Sequence, residues 1–288
     1  MTPIFNEFET ATGSIVGQYH LRIGLNNQDN YIVIEHPDHI MAVVCDGCGS
    51  GATSEVGATL GSSIVAWELS ASGLHKLGDD MEKIELCLER VRRFIVDRIT
   101  AIAFKAGLPF VNVIADCFLF TIVAAVIGKN HTYIISFGDG FYSLNEEVKE
   151  IGPFENNAPP YIAYGAVEEH VKGADSMKFV VNEVIPTADL QSLLIGTDGL
   201  GDLIEAEEKN LPGKKESVGP LGQFWTKDLY FSNPAAVCRR LSLINRAVTK
   251  IDRKNVRLIQ EHGYLKDDTT LIAIRKVADD SLSQGEKV

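Results

Sequence analysis

The feature that most constrains this chain is the segment IMAVVCDGCGSG at residues 40–51, where a strongly apolar run stops at a carboxylate. The run at 40–44 predicts a buried β-strand, because its residues are apolar and two are β-branched valines. A buried Asp46 at its end is costly unless a positive group meets it. The glycines that follow let the backbone approach a ligand closely. The segment therefore predicts a cation or phosphate site, or else a tight strand-to-helix turn with a solvated aspartate.

Two further apolar runs end in the same way, with an aspartate followed by glycine. The segment YIISFGDG at 133–140 stops at Asp139, and LLIGTDGLGD at 193–202 stops at Asp198. Strands of one sheet could bring these carboxylates to a common edge, where they would repel one another unless metal ions neutralised them. The repetition favours a metal site over three independent turns.

Composition narrows the classes of function. The 288 residues suffice for one large domain or two small ones, and a mean hydropathy of +0.03 is typical of a soluble protein. A formal net charge of −12 without a basic run argues against nucleic-acid binding. We also expect no membrane partner, since no apolar run is long enough to span a bilayer and no secretory signal is visible at the N-terminus.

The cysteines predict a reducing, cytoplasmic environment. There are five of them, at positions 45, 48, 87, 117 and 238, an odd and scattered set. Cys45 and Cys48 form a C-x-x-C pair. Without a second pair or a nearby histidine, that pair alone supports neither a zinc site nor a redox site.

The order of predicted elements is mixed, and without a repeat or linker it indicates one domain over 1–288 with a core of about 14–275. Helices are predicted from residue 53 or 54 to about 70, from 79 or 80 to about 105, and over 234–250. Strands are predicted at 14–21, 31–35, 40–45, 117–128, 132–137, 140–144, 177–184, 193–197 and 266–274. Residues 1–12 are expected to be an irregular lead and 277–288 a polar tail. The polar segment 205–233 follows Asp202, so we expect a mobile flap beside the aspartates.

Four pieces in order carry a resemblance to a known family: NNQDN (26–30), CDGCGSG (45–51), TDGLGD (197–202) and KDDTTLIAI (266–274). The chain resembles the metal-dependent type 2C Ser/Thr protein phosphatases, specifically their bacterial members. The resemblance implies an α+β fold, a four-layer α–β–β–α sandwich of two antiparallel sheets flanked by helices. A binuclear metal site would lie at one end of this sandwich.

The same resemblance implies a set of oxygen ligands for two Mn²⁺ or Mg²⁺ ions: Asp29, Asp46, Gly47, Asp198 and Asp267. Asp46 would bridge the two ions and Gly47 would contribute its backbone carbonyl. Asp198 and Asp267 would bind one ion, and Asp29 the other, directly or through water. Catalysis by Asp46 and Asp198 would then act through a metal-bridging water or hydroxide that attacks phosphorus, without a protein nucleophile.

The resemblance also implies a weaker third metal at Asp139 and Asp202, as in some bacterial members. The substrate would be a phosphorylated protein, a Ser/Thr kinase or its target, and the location cytoplasmic. In the pair Asp267-Asp268, the first acid matches the family's ligand. The second would support it by hydrogen bonding, a role that asparagine could keep.

Two positions depart from the family pattern. Many members have a histidine after the first Asp-Gly, proposed to protonate the leaving alkoxide, where this chain has Cys48. Many also have an arginine that contacts the substrate phosphate, five residues before the first aspartate, where this chain has Gly24. Arg22 lies two residues earlier and is the candidate for that contact, with a surface position on a strand as its alternative.

Two other readings of the chain remain. The glycines at 47, 49 and 51 match the G-x-G-x-G turn with which class I methyltransferases hold adenosylmethionine, although no strand ending in an acid follows about twenty residues later. Alternatively, a phosphatase-like domain without the usual histidine and arginine would bind phosphoproteins without hydrolysing them. The retained carboxylates argue against this second reading.

Overall fold

The apolar run at 40–44 lies in a central strand, β3 (His39–Gly47), in which every residue except Asp46 is buried. A computed structural model describes residues 3–155, 158–170 and 177–277. β3 belongs to a five-stranded antiparallel sheet, sheet I, with the order β2 (Asp29–His36), β3, β4 (Phe120–Gly128), β5 (His131–Phe137) and β8 (Val180–Pro186). The antiparallel pairing of β3 with β4 excludes the methyltransferase alternative, whose turn joins parallel strands through a helix.

A second five-stranded antiparallel sheet, sheet II, packs against the first. Its order is β1 (Phe8–Ile15), β12 (Thr269–Lys276), β9 (Ser192–Gly196), β6 (Gly140–Leu144) and β7 (Glu147–Ile151). A separate hairpin consists of β10 (Val248–Asp252) and β11 (Arg257–Glu261). The chain therefore returns repeatedly from one sheet to the other.

Helices cover the outer face of each sheet. Against sheet I lie α2 (Ser54–Ser72), α3 (Met81–Lys105) and α4 (Phe110–Cys117), and against sheet II lie α5 (Leu200–Glu205), α6 (Gln223–Thr226), α7 (Asp228–Ser232) and α8 (Ala236–Asn245). A short helix, α1 (Gln18–Ile23), follows β1. Within the described ranges, no helix is both long enough and apolar enough to cross a membrane.

Alternate residues of β3 enter two different cores, as the two-residue period of a strand requires. The residues that face sheet II are Ile40, Ala42 and Val44, and those that face the helices are Met41, Val43 and Cys45. A third core lies between sheet II and its own helices. These three apolar layers confirm the predicted four-layer α–β–β–α sandwich.

Most predicted elements are confirmed to within a few residues, including the two long helices, and Asp80 caps α3 by accepting a hydrogen bond from the Lys83 backbone N–H at 3.3 Å. The first strand was placed wrongly. It spans Phe8–Ile15, mostly where an irregular lead was expected, and α1 occupies half of the predicted strand 14–21. The strand was hidden because only Phe8, Ala11 and Gly13 within it are buried.

Two other predictions were wrong. Helix α4 was missed because its apolar residues merge with those of β4 in the sequence. The helix predicted over 234–250 ends at Asn245, and the hairpin of β10 and β11 follows it. The predicted tail 277–288 lies almost wholly outside the described residues.

The segment 205–233 is not a polar flap. It contributes seven buried apolar side chains to the core beneath sheet II: Ala206, Leu211, Val218, Leu221, Phe224, Trp225 and Tyr230. Its backbone is held by Arg240, whose Nη2 donates to the carbonyl oxygens of Ser217 and Val218 at 2.9 Å each. The few apolar residues of this segment are spaced irregularly, so the sequence conceals that they face the same core.

Replacing Phe224 tests this correction. Phe224→Ala should lower the free energy of unfolding by about 3–5 kcal/mol, because a fully buried aromatic ring is lost and a cavity remains. Leu229→Ala, at a 59% exposed position of the same segment, should change it by less than about 0.5 kcal/mol. Denaturant titration of both variants measures the difference. Equal, small effects would support the predicted flap instead.

Candidate metal centre

Strand ends from both sheets meet at one end of the sandwich. Asp46, at the end of β3, pairs directly with Asp29 at the start of β2. Asp139 follows β5, Asp198 follows β9, and Asp267 precedes β12. A cleft of about 570 Å³ at this end is lined by Asp46, Asp139, Asp198 and Asp267. The structure therefore brings the predicted aspartates of separate segments to a single site.

Asp29 lies beneath this cleft, with only 7% of its surface exposed. Thr197 Oγ1 donates a hydrogen bond of 2.7 Å to Asp29 Oδ2, which fixes the orientation of the carboxylate. The other oxygen, Oδ1, is buried without a hydrogen-bond partner among the described residues, and Asp198 Oδ1 is in the same situation. Two buried, unpartnered carboxylate oxygens at one site indicate that a further positive group belongs there.

The carboxylates destabilise one another in the absence of such a group. Burial raises the pKa of Asp46 well above its usual value, and repulsion by Asp29 and Asp198 raises it further. Burial followed by repulsion from Asp267 and Asp139 raises the pKa of Asp198 to about 6. The pKa values of Asp29, Asp139 and Asp267 are also raised, in each case chiefly by burial. An all-oxygen set of mutually repelling carboxylates fits hard divalent cations such as Mg²⁺ and Mn²⁺.

Gly47 is required by packing at the floor of the cleft. Its N–H donates to the Gln28 carbonyl oxygen at 3.0 Å. A Cβ at this position would lie 2.8 Å from that same oxygen and 2.9 Å from the carbonyl oxygen of Ser54. Because both neighbours are backbone atoms, they cannot move aside, and a glycine is needed for β3 to pass this close to the backbone of Gln28 and Ser54.

One match to a family model identifies the family of this chain. The family model described as protein phosphatase 2C matches residues 16–227, which include Asp29, Asp46 and Asp198. The chain belongs to the protein phosphatase 2C family. It is accordingly a metal-dependent protein serine/threonine phosphatase. Among curated proteins, none matches the chain significantly.

Solved structures of bacterial phosphatases share its fold. A bacterial serine phosphatase is 14% identical, with a TM-score of 0.51, and 94% of this chain and 99% of that chain are covered. Serine/threonine phosphatase Stp1 from Staphylococcus aureus is 14% identical, with a TM-score of 0.51 and coverage of 94% and 96%. PppA from Pseudomonas aeruginosa, described as a regulatory component of T6SS, is 15% identical, with a TM-score of 0.50 and coverage of 94% and 98%. At these identities the likeness establishes the fold.

Asp268 supports the phosphatase site, as predicted, but not in a way that asparagine could keep. Its side chain is buried, with 2% exposed. Oδ1 accepts a hydrogen bond from the Gly17 N–H at 2.7 Å, and Oδ2 accepts one from the Gln28 N–H at 2.5 Å. An amide has one acceptor oxygen and would place its NH₂ against the second N–H. Because both carboxylate oxygens accept backbone N–H groups, we expect that asparagine does not replace Asp268 without loss.

Asp202 does not line the cleft with Asp139. Its Oδ1 lies 2.8 Å from Lys266 Nζ, and its Oδ2 accepts hydrogen bonds from the backbone N–H groups of Lys266 and Asp267. A third metal held by Asp139 and Asp202 stays a prediction, and it would have to compete with Lys266 for the Asp202 carboxylate.

Arg22 lies on the exposed helix α1, not on the predicted strand, and does not line the cleft. The basic side chain that the cleft does present is Lys266, the one lysine or arginine among the described residues that line it. Sequence reasoning missed Lys266 because it was read only as the residue before the two aspartates.

Cys48 lines the cleft at the position where many members have histidine. Its Sγ lies 3.1 Å from Ser50 Oγ. Burial disfavours the thiolate, but hydrogen bonds from the Ser50 and Tyr161 side chains outweigh it and lower the pKa of Cys48. Cys45 is instead fully buried in the core below the helices, so the C-x-x-C pair does not form a zinc or redox site.

His20 and Tyr161 also line the cleft, and no sequence motif predicted them. The Nδ1 of His20 lies 2.9 Å from Asp268 Oδ2, and its side chain is 6% exposed. Gly17, which immediately precedes α1, packs against the backbone of Asp267, where a Cβ would lie 2.3 Å from the carbonyl carbon. The chain then turns at once into α1.

Adjacent aspartates give the sharpest test of these roles. Asp267→Asn should weaken Mn²⁺ affinity at least about tenfold and leave the metal-free protein as stable as wild type or more stable, since one repelling charge is removed. Asp268→Asn should instead lower the free energy of unfolding by about 1–3 kcal/mol, because a buried backbone N–H loses its acceptor. Mn²⁺ calorimetry and denaturant titration separate the two effects. The reverse ranking would show that Asp268 is the ligand.

Proposed function

We propose that this phosphatase hydrolyses phosphoserine and phosphothreonine in proteins with two Mn²⁺ or Mg²⁺ ions, which are bound by Asp29, Asp46, Gly47, Asp198 and Asp267. The observation that carries the proposal is the pair of buried, unpartnered oxygens, Asp29 Oδ1 and Asp198 Oδ1, at a cleft lined by Asp46. When bound, such ions acidify water and offset the charge that develops on phosphoryl oxygens.

The residues of the chain prepare this site before any substrate arrives. Asp46 sits between the Asp29 side and the Asp198 side of the cluster, which suits a carboxylate shared by two ions. Thr197 holds Asp29 in place from sheet II. The Asp267 carboxylate accepts the Asp268 N–H at 2.8 Å, which limits its rotation. These fixed hydrogen bonds keep the ligands in position and so reduce the cost of ordering them on binding.

Lys266 is proposed as the group that attracts the substrate phosphate, in place of Arg22. Its side chain is 74% exposed and lies at the cleft while paired with Asp202. A cluster of carboxylates in a protein of net charge −12 repels a phosphate until cations occupy it. Substrate binding should therefore follow cation binding, with Lys266 adding a positive charge at the rim.

Protonation of the leaving alkoxide is the step for which Cys48 offers less than histidine would. A serine or threonine alkoxide is a poor leaving group, so it needs a proton from water or another cleft residue. The phenolate of an aryl phosphate leaves without this help.

We infer that the substrate is a phosphoprotein, a Ser/Thr kinase or its target. The unpaired cysteines support a cytoplasmic location.

The test compares an aryl phosphate and a phosphothreonine peptide with added Mn²⁺, Mg²⁺ or a chelator. Either ion should activate hydrolysis of both substrates, and the chelator should abolish it, because the carboxylates alone provide no electrophile. Asp46→Asn should lower the rate at least about 100-fold. Replacing a residue that only hydrogen-bonds to a metal ligand typically costs about 10–100-fold, and Asp46 is proposed to be a ligand itself. Asp97→Asn, on the exposed face of α3, should have no effect.

Full activity after exhaustive chelation would contradict the mechanism. Metal-dependent binding of the phosphopeptide without hydrolysis of either substrate would instead support the non-catalytic alternative. Hydrolysis of the aryl phosphate alone would assign the limitation to the proton donor at the Cys48 position.

A further inference from the structure

A second cluster of metal-ligating side chains lies at the opposite end of sheet I from the aspartates. It is formed around the turn between β2 and β3, which contains His36, Asp38 and His39. β3 runs for seven residues from His39 to Asp46, which is about 23 Å in a strand. The histidine cluster, defined as His36, Asp38, His39 and His75, is therefore separate from the phosphatase centre.

Asp38 is the centre of the histidine cluster. Its Oδ1 contacts His36 Nδ1 and lies 2.7 Å from His39 Nδ1, while His75 Nε2 lies 3.4 Å from its Oδ2. Ligand atoms of His36, Asp38 and His39 all lie within 4.8 Å of one another. The imidazole rings stack in sequence, with centroid separations of 4.7 Å and 4.2 Å.

Hydrogen bonds alone do not satisfy this cluster. His75 is buried, with 8% exposed, and neither its Nδ1 nor its Nε2 has a hydrogen-bond partner among the described residues. Leaving a buried polar atom unpaired costs about 1–3 kcal/mol. The Nε2 of His75 is close to Asp38 without hydrogen-bond geometry, so this buried nitrogen lacks a binding partner.

We propose that the histidine cluster is a site for a borderline transition-metal ion of the Zn²⁺ class, with His36, Asp38, His39 and His75 as its four ligands. Imidazole and carboxylate are the ligands that such ions take in tetrahedral sites. Metal–ligand distances of about 2.0–2.1 Å place neighbouring tetrahedral ligands about 3.3 Å apart. The separation of 3.4 Å between His75 Nε2 and Asp38 Oδ2 is close to this value. The contacts of His36 and His39 with Asp38 Oδ1 are shorter and would lengthen when an ion is bound.

A contact outside the cluster also suits a metal. His39 Nε2 lies 2.7 Å from Ser70 Oγ. With a metal on Nδ1, Nε2 would carry the proton and donate it to Ser70, the outer contact typical of ligating histidines.

An ion could enter from solvent, since the His36 side chain is 54% exposed. The cation it must compete with is Lys76, whose Nζ lies 3.5 Å from Asp38 Oδ2. That side chain is 68% exposed and can swing into water. A bound ion would clamp the turn between β2 and β3 to the short helical turn Leu74–Lys76, which joins α2 to α3.

Cobalt reports directly on this site, since tetrahedral Co²⁺ with nitrogen ligands absorbs visible light strongly and octahedral Co²⁺ with oxygen ligands absorbs weakly. The full chain is titrated with Co²⁺ in excess Mg²⁺, which favours occupation of the carboxylate centre by Mg²⁺. Wild type should show one tetrahedral equivalent, and Zn²⁺ should displace it. His36→Gln should lower its Co²⁺ affinity at least about tenfold, and His75→Gln should do the same.

The controls distinguish the two centres. His262→Gln, at an exposed position, should leave the signal unchanged. Asp46→Asn should also retain it, since Asp46 belongs to the other end of the sheet. Because His36 is half-exposed, its variant should fold even where a substitution at His75 does not. Absence of a tetrahedral band in wild type, or a band lost in Asp46→Asn but retained in His36→Gln, would overturn the proposal.

Discussion

The pairing of Asp46 with Asp29 across two neighbouring strands is the constraint on which the structure depends. Both carboxylates lie at the end of a sheet whose core is largely apolar, and burial and repulsion by neighbouring carboxylates raise the pKa of each. A protein that has only to fold would gain stability by replacing one of them. The arrangement is therefore explained by the metal ions that we propose to bind here rather than by folding.

The rest of the site holds this unfavourable pair in place. Sheet II contributes Thr197 to orient Asp29, and Asp268 accepts backbone N–H groups from Gly17 and Gln28, which ties the start of α1 and the start of β2 to β12. The site therefore depends on both sheets. Disruption of the packing between the sheets should weaken cation binding even where no ligand is touched.

The sequence indicated the candidate ligands where they stand at the end of a local apolar pattern. Asp46 and Asp198 directly follow apolar runs, so strand ends and candidate ligands could be predicted together. The bond from Thr197 to Asp29 joins residues 168 positions apart, and no local pattern indicates it. The double acceptor role of Asp268 depends on where Gly17 and Gln28 return to β12. The segment 205–233 was misread because its irregularly spaced apolar side chains meet in one core only in the folded chain.

The most direct test of the account is the stability of Asp46→Asn with and without Mn²⁺. In metal-free buffer this variant should be at least as stable as wild type, since a buried repelling charge is removed. Mn²⁺ at about 100 times its dissociation constant should stabilise wild type by about 2.7 kcal/mol, and it should stabilise the variant much less. A variant that is less stable without metal and responds to Mn²⁺ as wild type does would contradict the central role of this carboxylate.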